Sequence, residues 1–281
     1  MTASTPSCPS LPDTLLHARY GNAAPTGPLP GGAVIESMLG HRTVRAFDGS
    51  PLPAGTLEAL VAAAQSAPTS SNLQAWSVVA VEDPARRARI AERCGNQAHI
   101  RECPLLLVWI ADLSRLDRVC GRVGTQPGAN PFFEMFLVAA VDAALAAQNA
   151  LVAAEAMGLG TCYIGAMRNQ PEAIAEELGL PPDAFAIFGL CVGRPDPTRP
   201  QAAVKPRLAQ SAVLHRERYD AAPEAGALER YEPAMRAFQA SQRMSEVGWS
   251  TQSASRVRGP DSLSGRHTLR ETLRRLGFGL E

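Results

Sequence analysis

The stretch from Phe132 to Met157 constrains the fold of this chain more than any other, because it has helical spacing and is apolar on nearly every side. Four polar residues, Asp142, Gln148, Asn149 and Glu155, interrupt it, so a membrane span is not predicted. A helix that is apolar all round is buried in the centre of a domain or at a subunit interface. The sequence therefore predicts a long central helix against which the rest of the chain packs.

Shorter apolar segments on either side of this helix predict the remaining elements. Runs of β-branched and other apolar residues predict strands at 76–81, 104–110, 161–164 and 184–192. Helical spacing predicts one helix that begins near residue 33. It predicts four more helices over 53–66, 83–94, 171–178 and 224–243. Helices separate the strands, but few of them follow strict strand–helix–strand spacing. A mixed α+β sheet is therefore predicted in preference to a Rossmann sheet.

Composition divides the chain into four regions. Residues 1–32 are rich in Pro, Ser, Thr, Ala and Gly and have few bulky apolar groups, which is typical of a disordered leader. A core is predicted over 33–220, and a helical arm that wraps the core or a partner subunit is predicted over 221–250. Residues 251–281 are expected to form a variable charged tail, with a loop over 252–265.

Charge and cysteine content argue against several classes of function. Lys and Arg number 27, as do Asp and Glu, and this neutrality argues against nucleic acid as a partner. The N-terminus lacks the basic start and apolar block of a secretory signal, so the six cysteines are expected to be reduced thiols in the cytoplasm. Cys94, His99 and Cys103 match no zinc spacing, and no metal site is predicted. The glycines at 158–160 follow a helix rather than a strand, which argues against a dinucleotide fingerprint.

Four polar motifs lie at the junctions between predicted elements. They are HRTVR at 41–45, PTSSNLQ at 68–74, GNQAH at 95–99 together with YIGA at 163–166, and KPR at 205–207. Taken together they supply what flavin mononucleotide (FMN) requires. Its phosphate needs fixed cations, its ribityl chain needs hydroxyl and amide partners, and its N5 atom needs a close backbone N–H.

In this order the motifs resemble those of the FMN-dependent nitroreductase superfamily, most closely its branch of oxygen-insensitive, NADPH-preferring nitroreductases and flavin reductases. The resemblance extends from about Ser37 to Tyr231. It implies an α+β fold, in which helices wrap a central, mostly antiparallel sheet. It also implies an intertwined homodimer with FMN at the subunit interface.

The resemblance assigns cofactor-binding roles residue by residue. The phosphate and pyrimidine edge are assigned to His41, Arg42, Thr43 and Arg45, and the phosphate also to Lys205 and Arg207. The ribityl chain and ring are assigned to Thr69, Ser70, Ser71 and Gln97, and the surroundings of N5 to Tyr163, Ile164, Gly165 and Ala166. Arg168 and Arg243 are candidate contacts for NADPH. No catalytic side chain is predicted, because the cofactor carries the hydride chemistry.

The sequence departs from the family pattern in three places. Ala166 stands where the family often has a second glycine, so its methyl group is expected to narrow the space beside the flavin. Residues 240–248 contain one basic residue, Arg243, where NADPH-selective members cluster several arginines, so preference for NADPH over NADH is expected to be weak. The tail after Trp249 looks unlike the family, and the seven arginines after residue 240 are expected to be solvated.

The resemblance implies an oxidoreductase that transfers hydride from NADPH or NADH, through flavin N5, to a nitroaromatic, quinone or similar acceptor by a ping-pong mechanism. One alternative is a flavin reductase that supplies reduced FMN to a partner monooxygenase. Another is a flavin-binding protein without catalytic activity. Lys205 is the only lysine among 27 basic residues, and its position in the KPR motif favours a role for it in binding the flavin.

Overall fold

The computed structural model describes residues 9–281, which divide into two compact units. The first unit combines the residues up to Arg42 with Ala202–Ser262, and the second combines Thr43–Gln201 with Leu263–Glu281. This division differs from the single core predicted over 33–220, because the segment that carries the KPR motif groups with the N-terminal residues.

Eleven helices and four strands are present in residues 9–281. The helices are α1 (Asp13–Tyr20), α2 (Ala33–Gly40), α3 (Thr56–Gln65), α4 (Pro84–Arg93), α5 (Ala98–Glu102), α6 (Ser114–Val123), α7 (Phe133–Ala156), α8 (Pro171–Leu178), α9 (Glu224–Ser241), α10 (Trp249–Arg256) and α11 (Leu269–Arg275). The strands are β1 (Trp76–Val81), β2 (Leu105–Asp112), β3 (Gly160–Ile164) and β4 (Ala184–Gly193).

The four strands of the second unit form one sheet in the order β1-β2-β4-β3, with every neighbouring pair antiparallel. Every residue of β2 is buried, as its continuous apolar run predicts for a strand covered on both faces. The predicted α+β class with a mostly antiparallel sheet is confirmed.

Helix α7 packs on the sheet through its small residues. Ala146, Ala147 and Ala150 are fully buried in one core cluster with Leu60 of α3 and Trp109 of β2. In the described part of the chain, α7 is the one helix long and apolar enough to cross a membrane. Buried core helices of globular proteins also meet this criterion of length and composition. Its burial on one side against the sheet matches the predicted central helix.

The opposite face of α7 carries a row of large apolar side chains. This α7 stripe consists of Phe133, Leu137, Val141 and Leu145, which are 52%, 46%, 47% and 39% exposed. The four residues are spaced at intervals of four, so they lie on one side of the helix. An isolated chain therefore presents a continuous apolar surface along its central helix.

The N-terminal segment differs from the predicted disordered leader. Residues 13–20 form α1, and Arg19 within it is 5% exposed. Its guanidinium donates hydrogen bonds to the carbonyl oxygens of Leu39 (2.6 Å), His41 (2.8 Å) and Lys205 (2.9 Å). Composition gave no sign of these contacts, which join residues up to 186 positions apart. Residues 1–8 of the predicted leader lie outside the described residues.

The predicted loop over 252–265 is wrong in its first part, because α10 extends through Arg256. The carboxylate of Glu232 in α9 accepts hydrogen bonds from the backbone N–H of Trp249 (3.1 Å) and Ser250 (2.6 Å). These two N–H groups would otherwise be unsatisfied at the start of the helix. The helix thus begins on a cap that lies 17 residues away in sequence.

Candidate functional site

The KPR motif of the first unit is held by hydrogen bonds on several sides. Arg19 donates to the carbonyl of Lys205 and accepts, through its own carbonyl, from the backbone N–H of Arg207 at 2.8 Å. The hydroxyl of Tyr231 donates to the carbonyl of Pro206 at 2.9 Å. Because Arg19 also binds the carbonyl of His41, it brings together two segments that the sequence assigned to the phosphate.

A cationic cavity of about 640 Å³ opens beside this motif. Its wall is formed by Lys205, Arg207, Tyr231, Met235, Trp249, Gln252, Ser253, Ser255, Arg256 and Ser262. The lining holds three cationic side chains, several hydroxyl groups and no carboxylate. Such a lining favours an anionic ligand that accepts many hydrogen bonds, and a phosphate group meets both conditions.

Helix α10, which supplies half of this wall, is anchored to α9. Besides the Glu232 cap, the side-chain oxygen of the buried Gln239 accepts from the backbone N–H of Gly248 at 2.9 Å. The hydrogen bonds from Ser250 hold the pKa of Glu232 below its ordinary range. The ring of Trp249 meets that of Tyr231 edge-on at 5.9 Å. Arg256 thus reaches the cavity from a fixed helix, whereas its place in the charged tail predicted a solvated side chain.

In the second unit, a buried carboxylate organises the PTSSNLQ loop. Asp142 of α7 is 2% exposed and accepts three hydrogen bonds from residues of the loop and from the residue directly after it. They come from the Thr69 hydroxyl (2.5 Å), the Ser70 backbone N–H (3.2 Å) and the Ala75 backbone N–H (3.1 Å). In the sequence, Asp142 stands out only as an interruption of the apolar helix, although a carboxylate on such a helix needs polar partners when it is buried.

This loop has an unusual backbone. Ser71, Asn72 and Gln74 have φ values of 49°, 56° and 50°, in the left-handed region that side chains other than glycine rarely adopt. Such backbone persists where surrounding contacts enforce it. The contacts here include the three hydrogen bonds to Asp142, one from the Gln74 backbone N–H to the Thr69 hydroxyl at 2.9 Å, and one from Arg115 to the Gln74 carbonyl at 2.6 Å.

The loop and the α7 stripe border a second cavity of about 450 Å³. Thr69 and Ser70 line it from the loop, while Leu137, Val141 and Leu145 line it from the helix. The Thr69 hydroxyl is already engaged with Asp142 and Gln74, which gives it a structural task within the loop. The surface offered to a ligand is therefore apolar on one side and polar on the other.

The YIGA motif lies where β3 ends and a 3-10 turn over Gly165–Arg168 begins. A Cβ atom on Gly165 would lie 3.4 Å from Nη2 of Arg168 and 3.8 Å from Nη1 of Arg266, so both guanidiniums flank this glycine. Arg168 donates to the carbonyl of Ile187, and Nε of Arg266 donates to Oδ1 of Asn169 at 2.9 Å. Arg168, a candidate NADPH contact, is thus bound to strand β4.

Ala166 is the residue of the YIGA motif that departs from the family pattern. It is 7% exposed and belongs to the core cluster that contains Ile164 and Met167. Its methyl group is therefore packed among core side chains.

The HRTVR motif reaches the sheet next to β3. The backbone N–H of Val44 donates to the carbonyl of Thr161 at 2.9 Å, and the Val44 side chain would lie 2.7 Å from a Cβ atom on Gly160. Only glycine at 160 permits this approach. Burial lowers the pKa of His99, and the positive charge of Arg45 acts in the same direction. Burial raises the pKa of Cys162 to about 11, although Arg45 opposes the shift.

The structure thus groups the predicted residues in two sets. The first unit brings together His41, Lys205 and Arg207, and the second brings Arg45 to β3 and places Thr69 and Ser70 on α7. Gln97 lies near Cys94, whose carbonyl accepts from its side-chain nitrogen at 2.8 Å. Arg243 is exposed between α9 and α10 and is absent from the lining of the cationic cavity.

Two family models match this chain. The Nitroreductase family model matches residues 38–194, and the model of the Nitroreductase family C-terminal domain matches residues 205–281. The second match corrects the expectation that the tail after Trp249 is unlike the family. Two of its arginines, which were expected to be solvated, have partners: Arg266 binds Asn169, and Nε of Arg275 lies 2.6 Å from a carboxylate oxygen of Glu172.

Individual relatives agree with the family models. The "FMN reductase (NADPH)" of Bacillus subtilis (strain 168) is 40% identical over 187 residues, which are 66% of this chain and 74% of that protein. The "Oxygen-insensitive NADPH nitroreductase" of Salmonella typhimurium is 38% identical over 185 residues, 66% of this chain and 74% of that protein. The solved structure of "NADPH:FMN oxidoreductase from Vibrio harveyi complexed with NAD+" is 32% identical with a TM-score of 0.78, over 88% of this chain and 99% of that one. The fold, the motifs and these matches together show that the chain belongs to the nitroreductase family.

Proposed function

We propose that this chain is an FMN-dependent oxidoreductase that takes hydride from NADPH or NADH and passes it to a nitroaromatic, quinone or similar acceptor by a ping-pong mechanism. The reaction class is supported by the relatives, which are named as NADPH-dependent reductases of FMN and of nitro compounds. The observation that carries the proposal is the cationic cavity, because it places the KPR motif in a lining with three cations and no carboxylate.

Each unit, taken by itself, contains groups of the kind that FMN binds. In the first unit, Lys205 and Arg207 provide cations for a phosphate. In the second unit, Ser70 lines a cavity with a hydroxyl group of the kind that a ribityl chain binds. The turn that starts at Gly165 provides backbone N–H groups without acceptors inside the turn. When bound, FMN supplies the two-electron transfer between the nicotinamide and the acceptor.

The side chains of this protein bind and orient rather than react. Lys205 and Arg207 would hold the phosphate, and Arg45 would supply a positive charge to the flavin ring. Asp142 holds residues 69–75 in their conformation through its three hydrogen bonds. A fixed cation favours the reduced, anionic form of such a ring. The proposed reaction requires no side-chain acid or base, so we assign no catalytic residue.

We infer that two copies associate through the α7 stripe. Four large apolar side chains exposed on one helix face are a surface that monomeric proteins rarely present to water. Obligate interfaces of such composition bury about 2,000–5,000 Å². Sedimentation at micromolar concentration should show a dimer, and a folded, flavin-loaded monomer would contradict the inference.

A flavin reductase that releases reduced FMN to a partner enzyme is the second candidate function, favoured by the relatives named FMN reductases. Both functions fit a cytoplasmic enzyme that acts on small molecules, with neither a nucleic acid nor a membrane as partner. Retention of the flavin through gel filtration favours direct reduction of an acceptor, and rapid loss of the flavin favours its release.

The proposed function is tested by mixing purified protein with NADPH or NADH under argon in a stopped-flow instrument. The yellow flavin absorbance should bleach with either donor and return when a nitroaromatic or quinone is added. A flavin-loaded protein that neither donor bleaches would show that the chain binds flavin without catalysing its reduction.

A further inference from the structure

A third cavity, of about 450 Å³, lies in the second unit at the start of α3. The segment 49–58 forms most of its wall, and Glu82, Arg87, Pro104 and Leu105 complete it. None of these residues belongs to the flavin motifs. We propose that this cavity binds a small oxyanion, a carboxylate or a phosphate, through Arg87 and the N-terminus of α3.

Arg87 is a buried cation that forms no ion pair with a carboxylate among the described residues. The residue is 7% exposed and forms no ion pair with any described residue. Its Nη1 atom donates to two backbone carbonyls, those of Glu82 and of Pro104 (3.1 Å). A buried guanidinium is normally paired with an anion, because an uncompensated charge away from water is costly.

One nitrogen of the Arg87 guanidinium remains for an oxyanion. None of the described residues accepts a hydrogen bond from its Nη2 atom. The Nε atom also lacks a partner, but the protein encloses it, so an anion in the cavity does not reach it. On the same helix, Nε and Nη2 of Arg89 donate to the two carboxylate oxygens of Glu177 at 2.9 and 2.8 Å. Arg87 thus offers one charge-assisted donor, and the remaining donors come from elsewhere in the cavity.

The first turn of α3 supplies further donors to the same cavity. Gly55 precedes the helix in a left-handed conformation and provides no side-chain cap. The backbone N–H of Thr56 donates to Pro53 and that of Ala59 to Gly55, while those of Leu57 and Glu58 meet no acceptor among the described residues. A ten-residue helix also presents the positive end of its dipole here.

Two carboxylates oppose an anion in this cavity and make the proposal testable. Glu58 and Glu82 line it, and both are exposed. Glu82 does not neutralise Arg87, since the contact between these residues is made by the Glu82 backbone carbonyl. Removing either negative charge should therefore strengthen anion binding.

The test titrates flavin-loaded protein with sodium phosphate and, separately, sodium acetate, at ionic strength held constant with chloride, by isothermal calorimetry. Saturable binding of phosphate alone indicates a phosphate ligand, and binding of acetate alone indicates a carboxylate. Glu58→Gln should tighten binding several-fold, whereas Ala54→Glu, which adds a charge to the exposed wall, should weaken it. Arg87→Met should weaken binding about tenfold or more.

Arg89→Met is the matched control, because Arg89 lies on the same helix outside the cavity and should leave anion affinity unchanged. If Arg87→Met does not fold, the opposite effects of Glu58→Gln and Ala54→Glu decide the question. The proposal is overturned if neither anion binds wild type or Glu58→Gln, or if binding is insensitive to these substitutions. Bleaching of the flavin by NADPH is independent of this site, so either function can fail without the other.

Discussion

Asp142 offers the sharpest test of how the central helix serves the flavin site. Asp142→Ala removes the acceptor of three hydrogen bonds from the 69–75 segment. The Ala75 backbone N–H is buried and would lose its partner, at a cost of about 1–3 kcal/mol. The Thr69 hydroxyl adds about 1 kcal/mol, whereas the exposed Ser70 can turn to water. The free energy of unfolding should thus fall by about 2–4 kcal/mol.

Asp142→Asn keeps the volume of the side chain but removes its negative charge and one of its two acceptor oxygens. Its carboxamide keeps one oxygen acceptor but turns an N–H donor toward groups that are themselves donors. We expect a loss of about 1.5–3 kcal/mol in stability, because the hydrogen bonds lost are those to a charged group. The residues with positive φ then lose part of what enforces their conformation, and the FMN dissociation constant should rise about tenfold or more.

Stability is measured by urea unfolding, and FMN affinity by fluorescence titration of the apoprotein with each variant still folded. Asn149→Ala is the control on the same helix, since it removes one hydrogen bond from the Asn149 side chain to the Ala63 carbonyl at 3.1 Å. That variant should lose about 1 kcal/mol of stability and keep its FMN affinity. If Asp142→Asn also binds FMN as tightly as wild type, Asp142 contributes to the stability of the fold but not to the flavin site, and the reasoning is wrong.

Three further outcomes are expected. Lys205→Ala should weaken FMN binding about ten- to hundredfold. Lys205→Arg should restore only part of this affinity, because a planar guanidinium fills the space differently from an ammonium group. If Lys205→Arg binds FMN as tightly as wild type, the site has no specific need for lysine. The preference for NADPH over NADH is expected to be weak, and Arg243→Ala should lower it further, measured as the ratio of kcat/KM values. An unchanged ratio would exclude Arg243 as the contact of the 2′-phosphate. Because burial lowers the pKa of His99, the unfolded state takes up a proton first as the pH falls below about 6.5, so stability falls there. His99→Asn should therefore reduce the fall in Tm between pH 7.5 and 5.5, while the exposed His267→Asn should not change it.

The sequence by itself determined the elements whose signal is local. Strand β1 has the predicted bounds, and α7 and β4 differ from theirs by one residue at each affected end, because apolar periodicity and run length depend only on near neighbours. The ordered motifs were enough to indicate the family, which the family models confirm. The roles assigned to the individual flavin contacts remain predictions.

Tertiary structure alone decided which polar groups meet. Arg19 binds the carbonyl of Lys205 across 186 positions, and Asp142 binds the Thr69 hydroxyl across 73. Helix α10 starts on the carboxylate of Glu232, and Arg87 is buried without an ion pair to any described residue. No pattern of neighbouring residues encodes these pairs, because each depends on where separate elements come to rest. A carboxylate in an apolar helix, or an arginine in a polar helix, indicates only that the side chain needs a partner when it is buried. Which group becomes that partner depends on the folded chain.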